Sequence, residues 1–240
     1  YAKDHPEAHL KAESWLILDA QPDADGNQPV IYKGFQDGIT ADDLRDAIKN
    51  GTVPDIMRTQ LAVPGHCHTL PSGTVHALGA GVLVAEIQTP SDTTFRVYDW
   101  AKEYGRQGRE LHTEQAVQCA SFEQPPVAQH AEAFLAEDLG MMSTRPPQIG
   151  QTRHRVADTD HYTIDIISAS CASVPIAQSD DTRNTPAVVM LLKTTGASIA
   201  AGDHEYPLAA GQTVLIPASI SGECALRAGP GTEAVIARVV

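Results

Sequence analysis

The stretch GHCHTLPSGTVHALGAG, Gly65 to Gly81, sets His66, Cys67, His68 and His76 around a Pro-Ser-Gly turn. Gly65, Pro71 and Gly73 punctuate the chain where a strand must reverse sharply, and the apolar run that follows reads as the next strand. That strand opens with His76. A neutral ring nitrogen there can ligate zinc or iron. If the turn has a two-residue tip, pairing parity puts Cys67 and Thr69 on the face of His76 and His66 and His68 on the other. An odd-length loop reverses this. His76 is therefore the candidate ligand. His66 and His68 read as polar residues on an outer strand face, and Cys67 as a small buried residue.

On either side of this stretch the chain is written mainly in strands. ESWLILDAQ (13–21), QPVIYKGF (28–35), HALGAGVLVAEIQ (76–88) and TTFRVYDW (93–100) are rich in β-branched and aromatic residues and bounded by Gly, Pro or Asp. One helix is well signalled in TADDLRDAIKNG. Thr40 can cap its start, Asp42 and Asp43 suit its positive end, Lys49 its negative end, and Gly51 can close it. TEQAVQCA marks a second helix, starting near His112 or Thr113. Residues 122–152 carry two Pro-Pro pairs and little alternation, and read as a connection with a short helix in its middle. Beyond it, HYTIDIISA, PAVVMLLKTTG, ASIAAG, GQTVLIPAS and EAVIARVV are further strands. The frame Gly65-x5-Pro71-x-Gly73 returns as Gly211-x5-Pro217-x-Ser219, with Gly222 where His76 stands. Two β-units of similar plan, one with a metal-capable histidine and one without, account for this echo.

Composition narrows the function. With 18 Gly and 16 Pro among 240 residues and only 5% aromatics, short strands and tight turns fit better than a helical bundle. A net charge of −13 speaks against nucleic acid, which is held by clustered Lys and Arg. An anionic small substrate would need a local basic cluster to reverse the field within its cleft. Four cysteines without a CxxC pair point to a reduced, cytoplasmic protein, and no apolar run approaches membrane-spanning length.

The Gly-x5-Pro-x-Gly-x2-His pattern resembles the second motif of the cupin β-barrels. The likeness sharpens in LPSGTVHALGAGVLVAEIQTPSDTTFRVYDW, which resembles the core signature of the type I mannose-6-phosphate isomerases, zinc-dependent cupins. YAKDHPEAHLKAESWLILDA is similar to that family's segment with a Lys-x-Glu pair before a tryptophan, and GRELHTEQA to the stretch after the catalytic core. The likeness runs from Tyr1 to about Gln118; over 150–240 it is architectural only. It implies a mainly β fold of two cupin jelly-roll units with a few short helices. The expected boundaries are 1–121 for the catalytic unit, 122–152 for the connection and 153–240 for a degenerate second unit.

The same resemblance implies zinc held by Glu13 and His76. It makes Lys11 and Arg96 cationic substrate-binding and catalytic residues, and Glu86 an acidic group in the cleft and a candidate for proton transfer. An Arg96 on the face shared by Thr94 and Tyr98 needs an anion: Asp99, Glu86 or a substrate phosphate. The family's two further zinc ligands lie in a Gln-x-His-Pro motif before the segment matching Tyr1. No such motif occurs in these residues: either it lies upstream of Tyr1, which the non-Met start favours, or the site has been rebuilt or lost; His5 and His9 match a variable loop. The implied activity is isomerisation of mannose 6-phosphate and fructose 6-phosphate through an enediol, with a small sugar phosphate as the partner. The alternatives are a non-catalytic sugar-phosphate-binding cupin, and an iron dioxygenase for which His66, His68 and Glu86 would be a loose ligand set.

Overall fold

In the computed structural model the described residues are 1, 3–130, 150–177 and 185–240. The chain divides into two compact units, Tyr1–Ala128 and Gln129–Val240. In the first, the strands are β1 (Glu13–Ala20), β2 (Val30–Phe35), β3 (Met57–Leu61), β4 (His66–Leu70), β5 (His76–Leu78) and β6 (Val82–Gln88). Three helices accompany them: α1 (Ala41–Asn50), α2 (Val53–Ile56) and α3 (Thr113–Cys119). β1 lies between β6 and β4 in one antiparallel sheet, and β2 between β3 and β5 in another. Ile17 of β1 and Ile31 of β2 are fully buried in one cluster with Ala62, Val82 and Val84 packed against it. The helices bury Leu44, Ile48, Val53 and Val117 against Phe35 and Met57.

α1 forms as its residues require. Thr40 and Asp43 make a reciprocal capping box, and Gly51 closes the helix in the left-handed region. In the second unit, after a two-residue β7 (Gln129–His130), come β8 (Gly150–Asp158), β9 (Tyr162–Ser170), β10 (Ala172–Pro175), β11 (Ala187–Lys193) and β12 (Ala197–Ala201). β13 (His204–Leu208), β14 (Thr213–Ile216), β15 (Cys224–Ala228) and β16 (Thr232–Val239) follow. β14-β11-β16-β9-β8 form one sheet and β10-β15-β12-β13 another. Among the described residues, Ile167, Leu191, Leu226 and Ile236 belong to its buried core.

The six strands β11 to β16 repeat the pairing of β1 to β6: β11 lies between β14 and β16, and β12 between β13 and β15. The echoed motif falls at matching places. Gly65 N–H donates to Ile17 O of β1 at 2.9 Å, and Gly211 N–H to Leu191 O of β11 at 2.7 Å. Pro71 O accepts from Thr74 N–H at 3.0 Å, and Pro217 O from Ile220 N–H at 3.2 Å.

Three expectations change. TTFRVYDW is no strand; its polar groups go to side chains and to a single facing residue, as described below. HALGAGVLVAEIQ is two strands, β5 and β6, broken at Gly79–Gly81. The strands β3, β8, β10, β13 and β15 have no counterpart among the expected ones. β8 carries polar residues that serve a buried ion network, and β13 holds Pro207 on a sheet edge, where a missing N–H is tolerated. Of the expected connection, 150–152 belong to β8, while the expected short helix lies outside the described residues.

Candidate functional site

The turn before His76 is built by Pro71 to Thr74. Its closing hydrogen bond and a φ of +89° at Gly73 are those of a type II turn, which needs a positive φ at that position. The end of α3 clamps it: Ser121 N–H donates to Gly73 O at 2.8 Å, and a Cβ on Gly73 would lie 2.6 Å from Cys119 O. β5 then starts at His76. Nδ1 of His76 lies 2.6 Å from Thr74 O, so Nδ1 carries a proton and donates it. An outer hydrogen bond of this kind orients metal-ligating imidazoles, and here it directs the other nitrogen toward Glu13.

That nitrogen, Nε2, is 2.8 Å from Oε1 of Glu13, the first residue of β1, and Lys11 Nζ lies 2.8 Å from Oε2 of the same carboxylate. The structure thus brings Lys11, Glu13 and His76 together. Glu13 is 2% exposed. Burial raises its pKa, but the hydrogen bonds from His76 and Lys11 outweigh that and hold it below the ordinary carboxylate value. A cleft of about 620 Å³ opens over this cluster, lined by Lys11, Glu13, His76, Arg96, Arg109 and Trp100 among others. Its charged lining is dominated by cations although the chain as a whole is acidic.

Arg96 stands on the cleft wall. Its Nη1 donates to Glu110 O at 3.2 Å, and among the described residues no carboxylate pairs with it. The two carboxylates expected to do so are engaged elsewhere. Asp99 accepts from Arg109 Nε and Nη2 at 3.0 and 3.3 Å and from Arg109 N–H at 2.7 Å, which holds its carboxyl well below the usual range. Glu86 is exposed, does not line the cleft, and accepts from Trp15 Nε1 at 3.0 Å. Trp15 packs edge-on against His76 with centroids 4.9 Å apart, so Glu86 reaches the site only through that indole. Arg109 has no signal in the sequence; Trp15 entered only as the tryptophan after the Lys-x-Glu pair, and His112 only as a possible helix start.

The histidines before the turn fall differently from the parity reading. β4 and β5 belong to separate sheets, so hairpin parity does not govern them. The register of β4 on β1 puts His68 opposite Trp15, on the face of Glu13, and Cys67 opposite Leu16. His68 is 1% exposed and neither ring nitrogen has a hydrogen-bond partner; burial, with Lys33 and His66 nearby, pushes its pKa down to about 4. Burial pushes the Cys67 thiol up to about 12. Neither His68 nor Cys67 lines the cleft.

For zinc, Glu13 Oε1 and His76 Nε2 are suitable donors with the right outer hydrogen bond. Among the described residues no third His, Cys, Asp or Glu joins them. The pair offers two of the donors a zinc ion would need, and among the described residues His66, His68 and Glu86 form no ligand set. No helix of the described residues is long and apolar enough to cross a membrane.

No protein-family model matches the chain. It is 35% identical over 141 residues to mannose-6-phosphate isomerase ManA of Bacillus subtilis, covering 58% of this chain and 43% of that protein. It is 32% identical over 127 residues to mannose-6-phosphate isomerase of Streptococcus mutans, covering 52% of this chain and 38% of the other. The match therefore spans less than half the length of these relatives. The fold is shared with the crystal structure of mannose 6-phosphate isomerase from Bacillus subtilis, at a TM-score of 0.70 and 21% identity, covering 99% of this chain and 68% of that one. A zinc-bound mannose 6-phosphate isomerase superposes with a TM-score of 0.62 at 13% identity, covering 96% of this chain and 66% of the other.

Proposed function

We propose that this chain carries the cleft of a zinc-dependent aldose–ketose isomerase that interconverts mannose 6-phosphate and fructose 6-phosphate through an enediol. The observation that carries the reading is the Lys11–Glu13–His76 cluster, centred on the buried Glu13, in one cleft with Arg96, a cation that no carboxylate pairs with among the described residues. Relatives named as this isomerase support the choice of substrate. In this reading Glu13 and His76 hold zinc, and the Thr74 carbonyl fixes the ring for that task. When bound, zinc acts as a Lewis acid toward the sugar oxygens as the proton moves between C2 and C1.

The other roles belong to the chain itself. Arg96 takes the phosphate, because its planar donors match a phosphate face and no carboxylate among the described residues competes for its charge. The Lys11 ammonium, beside the Glu13 carboxylate, neutralises charge developing on the enediol oxygen. Trp15, held by Glu86, walls the imidazole of His76. Glu86 is thus a positioning residue in this reading and not the proton carrier. The second unit has Gly222 in the slot of His76.

The test is turnover of mannose 6-phosphate by the full-length protein, lost on chelation and regained with zinc. Substrate binding without turnover in the zinc-loaded protein would favour a binding cupin instead. Turnover untouched by complete zinc removal would sink the mechanism.

A further inference from the structure

Arg96 lies in a segment without regular secondary structure, so its side chain needs some other support to stay in place. His112 supplies both main-chain partners. Arg96 N–H donates to Nδ1 of His112 at 3.1 Å, and His112 N–H donates to Arg96 O at 2.8 Å. Further along the same two stretches, Arg109 N–H and guanidinium close on Asp99. His112 also occupies the N-cap position of α3, where an Asn, Asp or Ser would ordinarily cap the helix. Its ring makes no capping bond there, because Nδ1 is committed to Arg96. Accepting at Nδ1 requires the neutral tautomer with its proton on Nε2. The ring itself does not line the cleft and sits 6.0 Å from that of Phe95.

We infer that His112 is the positioning residue of the phosphate subsite: through Nδ1 it sets the backbone of Arg96 and so the place of the guanidinium on the cleft wall. This rests on the reading of Arg96 as the phosphate anchor. A bond to the backbone fixes where the side chain begins whatever ligand is present, which preorganises the cation before substrate arrives. His112 touches neither substrate nor the Glu13–His76 pair, so its loss weakens sugar-phosphate affinity and leaves zinc uptake alone.

The test compares His112→Ala, His112→Asn and His112→Gln in the full-length protein, by calorimetric binding of fructose 6-phosphate, by KM and kcat for mannose 6-phosphate, and by zinc content. An Asn oxygen falls near the place of Nδ1 and can accept from Arg96 N–H, whereas the Gln amide reaches past it. His112→Ala is expected to weaken binding and raise KM about 10-fold, close to one 1.4 kcal/mol step. kcat is expected to stay within about 3-fold and zinc content unchanged. His112→Asn restores most of the affinity, His112→Gln does not, and in an Arg96→Met background His112→Ala adds no further loss. Weakened binding in Arg96→Met with none in His112→Ala overturns the inference and leaves the anchor role standing. No weakening in either overturns both. Equal rescue by Asn and Gln, or additive losses in the double variant, also overturns it. Thermal melting of the Asn and Gln variants separates these outcomes from misfolding.

Discussion

Nε2 of His76 lies 2.8 Å from Oε1 of Glu13, joining the first residue of β5 to the first residue of β1 across two different sheets. Neither residue is near the other in sequence, and each is placed by its own local device. His76 follows the turn closed at Pro71 and Thr74; Glu13 follows Lys11 at the point where β1 enters the buried region. His76→Ala and Glu13→Ala each remove one of the two donors. Zinc content and isomerase turnover are both expected to fall by more than the roughly 10–100-fold that outer partners of a metal site cost. Metal analysis with a coupled isomerase assay checks this. Full turnover in His76→Ala refutes the ligand assignment.

Gly73 bears two demands at once, a φ of +89° and a carbonyl oxygen where a Cβ would sit. Gly38, at φ +82° with open space around it, bears only the first. Gly38→Ala is therefore expected to cost about 1–2 kcal/mol of left-handed strain. Gly73→Ala costs roughly twice that, because the backbone of Cys119 cannot move aside cheaply. A chain of this size loses about 2–4 °C in Tm per kcal/mol, so thermal melts resolve the two. Equal shifts would show that the clamp by α3 does not constrain the turn.

His68 makes the first unit sensitive to acid. Its folded-state pKa is about 4 against an ordinary 6.5. Between those values the unfolded chain binds the extra proton and the folded one does not, so this part of the stability is complete above pH 6.5 and is lost as pH falls toward 4. The amount is at most about 3 kcal/mol. His68→Leu removes two unbonded buried nitrogens and is expected to flatten the decline without lowering stability at pH 7. Urea titrations at pH 7 and pH 4.5 measure it, and an unchanged pH dependence in the variant contradicts it.

In the second unit, Asp165 is fully buried between Arg153, whose Nη2 lies at 2.7 Å, and Arg155. Arg153 also donates to Pro175 O and Ile176 O, which ties β8 and β9 to the end of β10. Asp165→Leu takes the buried carboxylate from Arg153 and leaves Arg155 its pairing with the exposed Asp158, and is expected to cost about 3 kcal/mol. Changing Arg153 and Arg155 to Met as well should recover much of that loss, since an apolar replacement of a whole buried network is often near neutral. Denaturant midpoints of the single and triple variants decide the matter. A triple variant no more stable than the single one rules the account out.

Read alone, the sequence determined whatever depends on near neighbours. The capping box of α1, the type II turn at Pro71–Thr74, most of the strands and the repeat of the Gly-x5-Pro frame are set by side-chain and backbone chemistry within a few residues. Those signals survive in any fold containing them, which is why His76 could be singled out from the crowd of histidines beside it. Lys11, Glu13 and Arg96 came from a resemblance, and the cleft assembles them in space.

Only the tertiary structure decided what lies between segments distant in the chain. It turned His68 inward and gave Asp99 to Arg109 and Glu86 to Trp15. It also kept TTFRVYDW out of the sheets by handing the main-chain groups of Arg96 to His112. The physical reason is that each of these is a competition for a hydrogen-bond or charge partner. The winner is the group that packing brings within about 3 Å, and the order of residues along the chain does not record that distance.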